Sequence, residues 1–556
     1  MLLSAQIVNK TIGSKQLFAG LDITVREDEK VAIIGRNGAG KTSLFRILAR
    51  EDADFEGEVQ TRKNTSIIMT AQEHLDAQVT SCLDYILASL PDYTQLHHII
   101  ETYPETMGNN MRKIAEYSEA LDRFNDLGYY FIEEKVLQAL ASYQLGEAKA
   151  RGPLVNLSGG QKRFVELVKV QQANARIALI DEPTNHMDYA AKASFIDWLR
   201  ETDSTVVVIT HDRDVLNEVD RIIEIKDKKA ISFPGNYTAY LQQNSNNTVT
   251  SMAQYEIAQA TIENVKKQIL YARSKKASWG GTADKKNPFV VMEDRLKKQL
   301  AELQAIAKPS FWIDQESAKQ LNAKVVARYE KYKDSNIKLR GLKTDKQQGV
   351  ELVSAEKLSL GYEQTGALFE DASFILQPGG RVRLHGRNGA GKTTLVTYIR
   401  NQINGTSSKV TKFHGGLKTS AKIRLGVYEQ EIDPKYLDYT LAEAITSMYH
   451  EKELNITDQL VRQLLANYLF DPSADHDAVV RRLSGGQKAR FQIMSMLATE
   501  PNMLILDEPT NHLDLPSIEE LEKALLNYSG AIIYVSHDSY FVEKLGGETV
   551  NVGPKN

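Results

Sequence analysis

Gly386-Arg387-Asn388-Gly389-Ala390-Gly391-Lys392-Thr393 decides how this chain is read, because the same eight letters stand earlier as Gly35-Arg36-Asn37-Gly38-Ala39-Gly40-Lys41-Thr42. Each copy follows an apolar run, at 31–34 and at 382–384, the second interrupted by Arg383. Each opens an apolar helical stretch, through Leu44, Ile47 and Leu48 or through Leu395, Tyr398 and Ile399. This is the pattern G-x-x-x-x-G-K-[ST] between a strand and a helix. Glycines let the backbone bend until successive N–H groups face one phosphate. The helix start adds free N–H donors and a partial positive charge. The expected phosphate contacts are Gly35, Asn37, Gly38, Gly40, Lys41, Thr42 and Ser43, and Gly386, Asn388, Gly389, Gly391, Lys392, Thr393 and Thr394. Lys41 and Lys392 would reach the outer phosphates, and Thr42 and Thr393 a magnesium ion.

Other landmarks repeat at equal spacing. Ser158 to Glu182 and Ser484 to Glu508 are both 24 positions apart; Glu182 to His211 and Glu508 to His537 are both 29. Equal spacing means two copies of one domain rather than a short-period array. Leu157-Ser158-Gly159-Gly160-Gln161 and Leu483-Ser484-Gly485-Gly486-Gln487 each precede a helical stretch, where serine and glycines form a second anion cradle or a plain helix cap. The apolar runs 177–180 and 503–506 read as buried parallel strands, and they end in Asp181-Glu182 and Asp507-Glu508. Ligands of open α/β sheets sit at such strand ends. The two aspartates are expected to hold magnesium and the two glutamates to polarise an attacking water. His211 and His537 end the next strands and are expected at the terminal phosphate or the water.

The copies differ in one insertion. Gln72 to Ser158 is 86 positions, but Gln430 to Ser484 is 54. The excess is expected as a small helical arm at about 91–126, with or without a role of its own.

The totals limit the alternatives. At 556 residues the chain has room for two to four domains, and one cysteine, Cys82, excludes an internal disulfide framework or a multi-cysteine metal site. No apolar run reaches the ~18–20 residues of a membrane span. The first residues lack the pattern of a signal peptide, so a cytoplasmic, membrane-free protein is expected.

Phosphate loop, glutamine loop, Leu-Ser-Gly-Gly-Gln signature, Asp-Glu pair and histidine, twice in this order, resemble the ATP-binding cassette superfamily. Asp181-Glu182-Pro183-Thr184-Asn185-His186 and Asp507-Glu508-Pro509-Thr510-Asn511-His512-Leu513-Asp514 resemble its ABC-F group of soluble twin-cassette proteins acting on the ribosome. The implied fold is α/β: two tandem cassettes, 1–247 and 348–556, joined by a long helical-hairpin linker at 248–347. The resemblance implies a head-to-tail sandwich within one monomeric chain. ATP on 35–42 would be closed over by Ser484, Gly485, Gly486 and Gln487, and ATP on 386–393 by Ser158, Gly159, Gly160 and Gln161. Gln72 and Gln430 would approach the nucleotide's magnesium. Tyr362 stands where the family places an aromatic against adenine; the first copy has Ile12 near that place, so its site is expected to hold the base more loosely.

The segment between the cassettes carries no nucleotide motif. Residues 251–350 hold 20 Lys and Arg against 11 Asp and Glu, a net +9 that leaves −13 on the rest of a chain of net −4. A basic stretch between acidic domains is a localised footprint for nucleic acid. Apolar residues at helical spacing predict a long helix at about 250–275 and a return helix at about 314–341. Glycines and Pro288 break helix between them. Lys275, Lys276, Lys285 and Lys286 are expected to meet RNA phosphates, and Trp279 and Phe289 to stack on bases, unless these aromatics pack the hairpin's own bend. In the ABC-F group this linker enters the ribosomal tRNA exit site and points toward the peptidyl-transferase centre. The implied partners are 23S ribosomal RNA, P-site tRNA and large-subunit proteins, and the implied roles are antibiotic protection or housekeeping translation. The energy subunit of a membrane transporter and a DNA-repair ATPase are the readings from other classes. A basic hairpin counts against the first and the single cysteine against the second.

Overall fold

The structure, a computed structural model, describes every residue except 14, 64, 72–79, 186, 278–287, 305–350, 365, 408, 429–431, 469, 484, 512 and 554–556. Gln72, Gln430, Ser484, Trp279, Lys285, Lys286 and the expected helix at 314–341 lie outside the described residues. Two compact units result: Met1–Tyr237 with Ile337–Asn556, and Thr238–Asn336.

The first unit holds both copies of the repeat. In the first copy the strands Ile67–Met69, Ile177–Asp181, Thr205–Ile209, Lys30–Gly35 and Arg221–Lys226 run parallel in that order, and Lys229–Pro234 closes the edge antiparallel. The second copy repeats it with Leu425–Tyr428, Met503–Asp507, Ala531–Val535, Arg381–His385 and Glu548–Asn551, all parallel. The aspartate strands are apolar up to their last residue because both faces are covered; every residue of Ile177–Asp181 and of Met503–Asp507 is buried. A three-stranded antiparallel sheet accompanies each, Leu3–Ile12 between Lys15–Val25 and Glu56–Thr61, and Val353–Tyr362 between Gly366–Leu376 and Thr411–Thr419. In each copy the aspartate strand lies two places from the phosphate-loop strand, with the histidine strand between them. All three ends therefore open on one edge.

The insertion forms the helices Tyr93–Thr106 and Met111–Asp126. Asn110 caps the second by accepting from the N–H groups of Arg112 and Lys113. Tyr93 packs on Phe124 with ring centroids 5.9 Å apart, and the Tyr103 hydroxyl donates to Glu116 at 3.1 Å.

In the second unit the first helix is longer than expected, Tyr237–Ala277, so the boundary placed at 247/248 falls inside it. No glycine or proline interrupts those 41 residues, which gives roughly 60 Å of helix at ~1.5 Å per residue. The reading of Pro288 as a breaker needs correction. It opens the helix Pro288–Gln304, a first-turn position where its missing N–H costs nothing. Phe289 thus sits in a helix's first turn rather than in a loop. Leu296, Leu300 and Leu303 pack on Val265 and Ile269, so the described return of the hairpin begins well before 314. Glu293 fastens it, at 2.9 Å from Arg273, 3.4 Å from Lys276 and 2.9 Å from Lys297, and Lys297 and Arg273 push its carboxyl down to about 2.

Candidate nucleotide sites

Each phosphate loop ends in a left-handed glycine that begins the helix, Gly40 at φ 94° and Gly391 at φ 97°. A Cβ there would lie 2.8 Å from the Phe18 ring or 2.7 Å from the Phe369 ring, so both conformation and space exclude a side chain. The lysines fold back over their loops. Lys41 Nζ donates to the carbonyls of Gly35 at 2.7 Å and Arg36 at 3.3 Å; Lys392 Nζ does the same to Gly386 at 2.8 Å and Arg387 at 2.9 Å. Thr42 Oγ1 donates to Asp181 Oδ2 at 2.8 Å, and Thr393 Oγ1 to Asp507 Oδ2 at 3.0 Å. Threonine and aspartate, 139 and 114 positions apart, meet because the helix that each threonine helps to open leaves the same sheet edge at which the aspartate strand ends.

Glu182 and Glu508 are non-glycine residues at φ 47° and 48°. Such backbone costs of order ~1–3 kcal/mol and persists only when its surroundings fix it. Here the N–H of Glu182 donates to the Ile209 carbonyl at 2.8 Å, and that of Glu508 to the Val535 carbonyl at 3.0 Å. His211 Nε2 lies 3.6 Å from Glu182, and His537 Nε2 lies 3.3 Å from Glu508. These are not ion pairs at neutral pH. Burial, assisted by Asp181 against Lys41, raises Glu182 to about 8; burial and Asp507 raise Glu508 to about 7. Burial, with Lys41 or Lys392 adding to it, lowers His211 and His537 to about 3. Both ring nitrogens of each histidine, and Glu508 Oε1, are buried and make no hydrogen bond among the described residues. Buried polar groups without partners mark places where a ligand or water completes the bonding. The donor set and the glycine cradle fit a triphosphate with its metal.

The two copies face each other. A cavity of about 590 Å³ is lined by Asn37, Lys41, Glu182 and His211 of the first copy and by Glu508 and His537 of the second. Across it the Asn37 N–H donates to Asp514 at 3.2 Å, and reciprocally the Asn388 N–H donates to Asp188 at 3.0 Å. Each phosphate loop is therefore read by the opposite copy.

Ser158 caps the helix Gly159–Ala173 in a reciprocal box with Gln161. Ser158, Gly159, Gly160, Gln161 and Gln487 do not line the cavity. Tyr362 is 39% exposed with its hydroxyl 3.4 Å from Thr394 Oγ1, and Ile12, 55% exposed, lines the cavity at the first loop. Reading by sequence did not assign Asp188, whose counterpart Asp514 closed a quoted motif. Their equal place, six residues after each glutamate, was the available signal.

A family profile described as ABC transporter matches residues 18–185 and 369–511. The chain is 27% identical over 551 residues to YdiF of Bacillus subtilis, a protein named for ATP binding, covering 98% of this chain and 79% of YdiF. It is 26% identical to the ribosome protection protein VmlR of Bacillus subtilis, over 97% of this chain and 84% of that protein. Its fold is similar to a crystal structure of the archaeal ribosome recycling factor aABCE1 with the stalk protein aP1, at TM-score 0.56 and 16% identity, covering 99% of this chain and 89% of that one. Among the described residues no helix is long and apolar enough to cross a membrane.

Proposed function

Because the chain belongs to the ABC transporter family, with two cassettes that bind and hydrolyse ATP, we propose that it is a ribosome-binding ATPase of the ABC-F group. In this reading ATP closes the cassettes and the closed form occupies the ribosomal tRNA exit site. The basic linker then reaches toward the peptidyl-transferase centre and protects the ribosome from antibiotics; hydrolysis releases the protein into the cytoplasm. The reciprocal contacts of Asn37 with Asp514 and of Asn388 with Asp188 carry the clamp. The name of VmlR and the +9 charge of residues 251–350 support the ribosomal target.

Thr42 with Asp181, and Thr393 with Asp507, would hold magnesium, which neutralises phosphate charge. Lys41 and Lys392 exchange their loop carbonyls for phosphate oxygens. Glu182 and Glu508 orient the attacking water, and the neutral His211 and His537 donate a hydrogen bond beside it.

The ribosomal reading is tested by cosedimentation. With Glu182→Gln and Glu508→Gln together, the chain pellets with ribosomes in ATP and stays in the supernatant in ADP. A double variant that stays in the supernatant with ATP removes the ribosomal target and leaves only the ATPase. Survival of a sensitive host on an antibiotic panel then separates protection from housekeeping.

Two further outcomes follow at the sites. A carboxylate that orients water must be ionised, so activity is lost as pH falls through its raised pKa. Glu508→Gln isolates the first site and Glu182→Gln the second; the pH–rate midpoint of the second site is expected lower, nearer about 7 than about 8. Coincident midpoints, or the reverse order, would show that these carboxyls do not set the profile. Tyr362→Ala is expected to weaken nucleotide binding at the second site by ~1–3 kcal/mol, the worth of one stacked base. Equilibrium binding with Lys41 replaced by alanine reads this, and unchanged affinity removes Tyr362 from the adenine.

A further inference from the structure

Lys192 is a buried cation that touches both histidine segments. It lies on the helix Tyr189–Glu201, four positions after Asp188. Its Nζ is 2.8 Å from Asp212, the residue after His211, and also pairs with Asp214. Across the interface the same Nζ donates to the His537 carbonyl at 3.4 Å. An ammonium has three donors, and these three acceptors match them. Asp214 adds a second crossing, accepting from Ser539 Oγ at 2.6 Å. The His537 N–H in turn lies 3.4 Å from Glu508 Oε2. A bonded chain thus runs from the histidine of the first site to the water-orienting carboxylate of the second.

The duplication shows that this chain is one-sided. Four positions after Asp514 stands Ile518, buried and apolar. Asp214 is matched by Tyr540. Ile518 can bring no charge to the His211 segment. The two nucleotide sites share every motif, yet the opposite cassette meets the His537 segment with a lysine and the His211 segment with carboxylates, Glu522 and Glu519 on Arg213.

We propose that Lys192 is a positioning residue through which the state of the first ATP site sets hydrolysis at the second. A shift of His211 carries Asp212 with it. Lys192 follows its carboxylates, the His537 carbonyl follows Lys192, and the alignment of Glu508 changes. The second copy has Ile518 and no lysine at the matching place. The surrounding carboxylates keep Lys192 charged against its burial, so the link persists at any working pH.

The inference rests on the roles given to Glu182 and Glu508. Each single glutamine variant is therefore first required to leave hydrolysis at one site only; loss of all hydrolysis in either would count against those roles, separately from Lys192. Lys192→Met is then placed in both backgrounds. The expected result is a fall in second-site kcat of about tenfold, inside the usual range of intersite couplings, with KM unchanged. First-site kcat stays within about twofold, because Arg213 still ties the His211 segment to Glu522 across the interface when Lys192 is gone. Lys192→Arg restores the second site. Should Lys192→Met fail to fold, Lys192→Met with Asp214→Asn removes the uncompensated charge and the same comparison is made. Equal loss at both sites, no loss at either, selective loss at the first, or failure of arginine to restore the second overturns the proposal.

Discussion

Glu182→Gln and Glu508→Gln together are expected to lower steady-state ATP hydrolysis by roughly 10²- to 10⁴-fold, the usual worth of a positioned acid–base group. Glutamine keeps the volume and a carbonyl acceptor but loses the charge. The strained backbone at φ 47° and 48° should persist, because the N–H bonds to the Ile209 and Val535 carbonyls do not involve the side chain. Binding should persist too, since the lysines, threonines and loop amides are untouched. Removing a buried carboxylate beside Asp181 or Asp507 relieves repulsion and should tighten the triphosphate complex. A clamp that closes on ATP and cannot hydrolyse it accumulates in the closed population. Phosphate release measures the loss, and filter retention of labelled ATP measures the trapping. Hydrolysis within about threefold of the wild type, far short of that expected range, would assign the chemistry elsewhere.

What the sequence disclosed was what the chain keeps contiguous. Phosphate loops, Asp-Glu pairs and histidines are short runs whose neighbours fix their geometry, and duplication repeated each landmark. Thr42 and Asp181 were each expected at magnesium, and the strand order that pairs them, with parallel carboxyl ends at one edge, came only with the fold. The contacts between copies were not legible. Asn37 meets Asp514 across 477 positions and Arg213 meets Glu522 across 309, and no periodicity records a partner at that distance. In the linker the same apolar residues support more than one register. Pro288 was read as a breaker between helices when its fixed φ suits a beginning, and Leu296, Leu300 and Leu303 follow it on one helix.

Arg213→Ala should be the most destabilising single change at the interface of the two cassettes. Arg213 is 2% exposed; Nη1 donates to Glu522 at 2.8 Å, Nη2 lies 3.8 Å from Glu519, and the guanidinium carbon sits 5.4 Å from the Tyr540 ring centre. Burial disfavours its charge, but Tyr237, Glu522 and Asp538 outweigh that and hold it protonated. Deleting one partner of a buried pair costs ~3–5 kcal/mol, because the other charge is left without compensation. Glu522 keeps Lys544 at 2.8 Å, which puts the expected loss near the lower end, about 3 kcal/mol. All the groups belong to the protein, so this edge of the interface needs no nucleotide to hold. The second copy has Ser539 at the matching place, and Ser539→Ala should cost no more than an ordinary hydrogen bond, ~1 kcal/mol. Denaturant unfolding without nucleotide compares the two. Arg213→Met with Glu519→Gln and Glu522→Gln should recover most of the loss, since neutral groups of similar size carry no desolvated charge. If Arg213→Ala unfolds within about 0.5 kcal/mol of the wild type, the margin of an ordinary surface change, the pair does not hold the cassettes together.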